Sequence, residues 1–210
     1  MVRADSNIQT LDDLSGHTVS IGAEESGTER NATQILEFAG MPSSLVATKN
    51  LDYIEATKEL KAGDIDAFFC TAGLTTTVID ELSKECDIRL IPLTDTVISK
   101  MLESSSAYTS EVIPAGTYTG QTTDISTIGV KSVLITKSDV SDDTIEQLTS
   151  LLFEKENELS YSNSLKLELT YDFATDDIPI PFHNGAKRYY EGCGYLSLIH
   201  ISEPTRPISI

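Results

Sequence analysis

Thr18-Val19-Ser20-Ile21-Gly22-Ala23-Glu24-Glu25-Ser26-Gly27-Thr28-Glu29 is the stretch around which the chain is organised. An alternating apolar run ends at a glycine, and a short turn follows. Ser26-Gly27-Thr28 then opens a segment whose apolar residues fall at Ala32, Ile35, Leu36 and Ala39, the spacing of one buried helix face. Gly40 stands where a C-cap belongs, and Pro42 blocks continuation. The pattern predicts strand, tight turn and helix N-terminus. The first amides of such a helix have no internal partner, and the aligned peptide dipoles add partial positive charge there. A small carboxylate can dock on those amides and on the hydroxyls of Ser26 and Thr28. The same four residues, Ser26 to Glu29, also fit an ordinary capping box that satisfies the amides internally, and both readings stay open. Glu24 and Glu25 repel an anion unless they face water. They can instead hold a ligand ammonium.

Further along, Leu51 to Ala62 reads as a helix stopped by Gly63-Asp64. Ile65 to Cys70 reads as a strand, with Thr71-Ala72-Gly73 as the loop after it. A helix from about Thr76 to Lys84, a strand at Ile88 to Pro92 and a helix from Asp95 to Glu103 complete an alternation. That order predicts an α/β layered domain with a largely parallel sheet. Ligands of open α/β sheets sit beyond the carboxyl ends of the strands. Ser26, Gly27 and Thr28 therefore share one sheet edge with Thr71, Ala72 and Gly73, where small residues permit close backbone approach. Ile113 to Gly120 reads as a crossover. Its Tyr118 is either a ligand contact or an ordinary half-buried tyrosine.

Thr127 to Thr136 reads as a strand with apolar side chains on both faces. Ser141-Asp142-Asp143 caps a helix with its face at Ile145, Leu148, Thr149 and Leu152. Residues 154–169 continue as a charged helix. Pro179 and Pro181 break regular structure before His183-Asn184-Gly185, and Ala186 to Glu191 forms a short closing helix. His183 in that turn is read as a structural hydrogen-bonding residue.

The 210 residues carry 33 acidic against 15 basic side chains, a formal net charge of −18. Nucleic acid and anionic membranes need basic footprints, so the charge argues against both as partners. No apolar run approaches the roughly 20 residues of a membrane span. Cys70, Cys86 and Cys193 show no metal-ligand or C-x-x-C spacing. No phosphate-binding loop, nucleophile elbow or zinc-protease motif occurs, so neither cofactor nor catalysis is expected.

Several blocks resemble the TAXI family, the solute-binding subunits of tripartite ATP-independent periplasmic (TRAP) transporters. They are Thr10 to Gly22 with Ser26-Gly27-Thr28, Gly63 to Phe69, Ala72-Gly73, Ile113 to Tyr118, and Ile180 to Tyr190. Their order and spacing cover nearly the whole chain. The resemblance implies an α/β fold of the type II periplasmic-binding-protein kind, with one complete lobe and part of a second. On that reading residues 1–15 are a lead-in, 16–115 the ligand-binding lobe, 116–126 the crossover, and 127–195 the returning part of the first lobe. It implies an extracytoplasmic protein, expected as a monomer, that captures a small carboxylate such as glutamate or 2-oxoglutarate between two lobes. The protein then hands it to the TRAP membrane subunits. A ligand-sensing module of a regulator is the alternative use of the same fold. The family's signal peptide and Gly-rich first segment have no counterpart here, so the chain is expected to begin partway through the protein. Residues 196–210 do not fit the family and resemble the translation of a transposon-end sequencing adapter. They are set aside as non-native.

Overall fold

A computed structural model describes residues 1–155, 169–176, 178 and 180–195. Of the charged helix expected over residues 154–169, positions 156–168 lie outside the described residues, as do Asp177, Pro179 and the tail 196–210. The chain divides into two units. Among the described residues, unit 1 comprises 1–132, and unit 2 comprises 133–155 and those between 169 and 195.

Unit 1 runs β1 (Val2–Arg3), β2 (Thr18–Ser20), α1 (Gly27–Phe38), β3 (Ala47–Lys49), α2 (Tyr53–Ala62), β4 (Ala67–Phe68), α3 (Thr77–Glu85), β5 (Ile88–Arg89), α4 (Asp95–Ser104), β6 (Tyr108–Ile113) and β7 (Ile125–Val130). The first five strands form one sheet in the order β3-β2-β4-β1-β5. β2 lies parallel to β3 and β4, whereas β1 is antiparallel to both β4 and β5. Four strands thus share one direction and β1 opposes them, in line with the largely parallel sheet expected.

Successive strand residues point to opposite faces, and the core follows from that alternation. Val19 and Ala67 face one layer, where they meet Ala32, Ile35 and Leu36 of α1 and Val97, Ile98 and Met101 of α4. Phe68 faces the other, with Ala56 and Leu60 of α2 and Ile79 and Leu82 of α3. Helix boundaries follow capping chemistry. Asp52 and Glu55 complete a reciprocal box at the head of α2, and Gly63 in the left-handed region at φ 82° ends that helix.

Three strands, β1, β3 and β6, were not anticipated. β3 is an exposed edge without apolar alternation, so periodicity gave it no signal. β1 falls within residues 1–15, and the same stretch contributes buried Ile8, Leu11 and Leu14 to the core. Arg89 fastens this stretch to the sheet. One guanidinium nitrogen donates to the carbonyls of Ser6 at 3.2 Å and Ile8 at 2.9 Å, and the other to that of Ala4 at 2.6 Å.

The strand expected over Thr127 to Thr136 is instead Ile125–Val130, paired antiparallel with β6 from Ile113↔Ile125 to Tyr108↔Val130. Beyond Val130 there is no further β6 residue to pair with. Leu134 and Ile135 are 70% and 72% exposed.

Unit 2 contains α5 (Asp142–Glu154), α6 (Tyr171–Thr175) and α7 (Asn184–Gly192). Ile145 and Thr149 of α5 are buried as expected, but Leu148 is 39% exposed. The backbones of α5 and α7 meet at Gly185, where an added Cβ would lie 2.2 Å from the Asp142 carbonyl oxygen. His183 takes the structural role expected of it. Its Nδ1 accepts the Gly185 N–H at 3.1 Å as the cap of α7. Arg188 bridges back to Asp143 and Glu146, and these carboxylates hold its guanidinium in the charged form. Phe153, Tyr171 and Tyr195 stack alongside, with ring centroids 4.5 and 4.2 Å apart.

Candidate functional site

The candidate site lies in unit 1, where β2 gives way to α1. Gly22 makes the turn possible. Its φ is 101°, and a Cβ there would fall 2.7 Å from the Thr28 Cβ. Only glycine allows the strand end to touch the first turn of the helix so closely. Glu25 also adopts a positive φ, 59°. Its N–H is held by the Glu29 carboxylate at 2.6 Å. The other Glu29 oxygen accepts from Asn50 Nδ2 at 2.7 Å, and the same amide group bonds the Gly22 carbonyl.

These contacts leave the capping box half formed. Ser26 Oγ accepts the Glu29 N–H at 3.1 Å, but the Glu29 carboxylate goes to Glu25, and the Ser26 N–H goes to the Ala23 carbonyl. The hydroxyl proton of Ser26 and the N–H groups of Gly27 and Thr28 therefore have no partner among the described residues. Three donors at a helix N-terminus, where the peptide dipoles converge, present a surface suited to a small anion. Glu24 and Glu25 are exposed around it.

Thr28 is differently placed. It is 5% exposed, its methyl side packs on Gly22, and its Oγ1 lies 2.7 Å from the Tyr53 hydroxyl. Tyr53 in turn bonds the Thr71 carbonyl at 2.9 Å and receives the Thr71 N–H at 3.2 Å. Asn31 reaches Thr71 Oγ1 at 3.3 Å, and the Tyr108 hydroxyl is 2.9 Å from Asn31 Oδ1. Thr71, expected at the same edge, is thereby joined to the first turns of α1 and α2. Ala72 and Gly73 follow it as exposed loop residues.

Tyr118 lies apart from this group. It is 6% exposed within the α2–α3 core layer. Burial pushes its pKa above the ordinary tyrosine value. Burial likewise pushes the Cys70 thiol up to about 11.

Sequence reading missed Tyr53, Asn31, Asn50 and Tyr108. A signal existed for two of them. Asn31 follows Thr28 at helical i+3 spacing, and Tyr53 stands directly after the capping residue of α2. Tyr108 is brought in by a ribbon whose first strand, β6, had not been identified.

Residues 1–194 match the NMT1-like family. The chain belongs to this family. Its fold is α/β, as read from the sequence. It is also similar to the periplasmic aliphatic sulphonate binding protein SsuA from Escherichia coli, with a TM-score of 0.39 and 16% identity. That similarity covers 93% of this chain and 64% of the other, so the chain spans less than two thirds of that protein's length. Among the described residues, no helix is long and apolar enough to cross a membrane.

Proposed function

We propose that this chain is the extracytoplasmic solute-binding part of a TAXI-type TRAP transporter. It captures a small carboxylate, such as glutamate or 2-oxoglutarate, and passes it unchanged to the membrane subunits. The observation that carries this reading is the set of uncommitted donors at the head of α1, namely the Ser26 hydroxyl and the Gly27 and Thr28 amides. They stand beyond the carboxyl end of β2, where α/β sheets hold their ligands. The carboxylate is received by these three donors. Thr71, Ala72 and Gly73 border it. Binding of this kind needs no covalent step. The sequence blocks shared with the TAXI family support the transporter assignment.

Calorimetric titration with glutamate and with 2-oxoglutarate tests the proposal. Ser26→Ala removes one hydroxyl donor to a charged acceptor, a loss of about 1–3 kcal/mol in binding. Helix capping also weakens in that variant, so affinity is compared at a temperature where both proteins remain folded. Unchanged affinity would reduce Ser26-Gly27-Thr28 to a plain helix cap.

A further inference from the structure

The hydroxyl groups around the α1 turn cannot all serve a ligand, and counting their protons shows which of them can. The Tyr53 hydroxyl has three partners: Thr28 Oγ1 at 2.7 Å, the Thr71 carbonyl at 2.9 Å and the Thr71 N–H at 3.2 Å. A phenol supplies one proton and accepts through its oxygen. A carbonyl only accepts, so the Tyr53 proton goes to the Thr71 carbonyl. An amide only donates, so the Thr71 N–H points at the Tyr53 oxygen. The contact to Thr28 is then satisfied only if Thr28 donates. Its one hydroxyl proton is spent inside the protein. Ser26 is the opposite case, because its oxygen accepts from Glu29 while its proton has no acceptor among the described residues.

We propose that Tyr53 is the positioning residue of this site. It draws the Thr28 hydroxyl proton inward and pins the Thr71 peptide, so that Thr28 meets a ligand through its backbone N–H alone and Ser26 is the hydroxyl donor. This rests on the carboxylate-binding reading of the α1 turn. It divides two residues that the sequence treats as equivalent. It also explains why Thr71, forty positions beyond Asn31 in the chain, arrives beside α1. Tyr53 holds both ends of the Thr71 peptide, and Asn31 holds its side chain.

The test uses the full 210-residue chain, isotope-labelled, as wild type, Tyr53→Phe, Thr28→Val, the double variant and Ser26→Ala. Amide exchange reads the lock directly. In Tyr53→Phe the Thr71 N–H is expected to exchange about tenfold faster or more, the cost of one lost hydrogen bond. The Phe68 N–H, bonded to the Met1 carbonyl, should keep its rate. A general loosening of the fold would move both. Glutamate titrations followed at the Gly27 and Thr28 amides read the consequence. Tyr53→Phe, Thr28→Val and their double should weaken binding by one common factor, whereas Ser26→Ala multiplies independently. An unchanged Thr71 rate in Tyr53→Phe overturns the inference. So does a double variant whose loss is the product of the single losses, since Thr28 would then reach the ligand by its own hydroxyl. If glutamate shifts neither amide in the wild type, the carboxylate reading fails. Exchange at Thr71 and the Tyr53–Thr28 double-mutant cycle on urea midpoints then still decide the lock.

Discussion

Replacing Gly22 by alanine separates two costs that the structure sets side by side. The first is conformational. At φ 101° an L-residue sits where its Cβ crowds its own backbone, at a cost of about 1–2 kcal/mol. The second is a collision. The new methyl would lie 2.7 and 2.8 Å from Thr28 Cβ and Cγ2 and 3.1 Å from the Glu29 nitrogen. Overpacking of that kind costs about 1–3 kcal/mol. The Thr28 side chain cannot simply swing away, because its hydroxyl is bonded to Tyr53. The sum is about 2–5 kcal/mol, a large part of the roughly 5–15 kcal/mol that holds a domain folded. Gly16→Ala is the control, with φ 80° and nothing within 4 Å of its Cβ position. It carries the first cost alone. Urea denaturation of both variants should show Gly22→Ala the less stable by about 1–3 kcal/mol, the overpacking share. Equal midpoints, with unchanged slopes, would refute the close approach of Gly22 to α1.

Other outcomes follow from single features. Gly185→Ala places a methyl against the Asp142 carbonyl, so the near-ultraviolet signal of the stacked Phe153, Tyr171 and Tyr195 should collapse while amide protection in unit 1 persists. The folded-state pKa of Cys70 is raised to about 11 from 9. Stability from that group is therefore full below pH 9 and is lost as pH rises from 9 toward 11. The raised Tyr118 pKa adds to the loss, and urea midpoints against pH, with Cys70→Val as comparison, measure it. At neutral pH the same burial keeps the Cys70 thiol protonated, so mass spectrometry after iodoacetamide should find exposed Cys193 modified first. Residues 16–115 expressed alone lack β1, which stands between β4 and β5. Hydrogen exchange should find Ile88 and Arg89 unprotected in that fragment and protected in the full chain.

What the sequence made legible was periodic or punctuated. The helical spacing of Ala32, Ile35 and Leu36 and the Gly63 stop translate directly into α1 and the end of α2, because each records a local backbone constraint. β1 and β3 were hidden for opposite reasons. A two-residue strand has no period to detect, and a fully exposed edge strand has no apolar face. The run through Ile135 has strand-forming composition, yet pairing ends at Val130, since β6 supplies no partner beyond Tyr108. At the site, Ser26, Gly27 and Thr28 were visible as a turn-and-cap signature. Their division of labour was not, because it depends on Tyr53, which a distant segment of chain delivers.

The Arg89 clamp bears on how this acidic chain meets changes of solvent. With a net charge of −18, the molecule repels itself at low ionic strength and loses that repulsion when salt screens it or acid neutralises its carboxylates. An arginine paired to a carboxylate would weaken under both treatments. Arg89 instead grips three backbone carbonyls, which have no charge to screen and no proton to take up over the physiological range. The Arg89 contact between the first residues and the sheet therefore changes little with salt or mild acid. Ion pairs such as Lys49–Glu59 and Lys61–Glu85, which do respond, lie at the periphery.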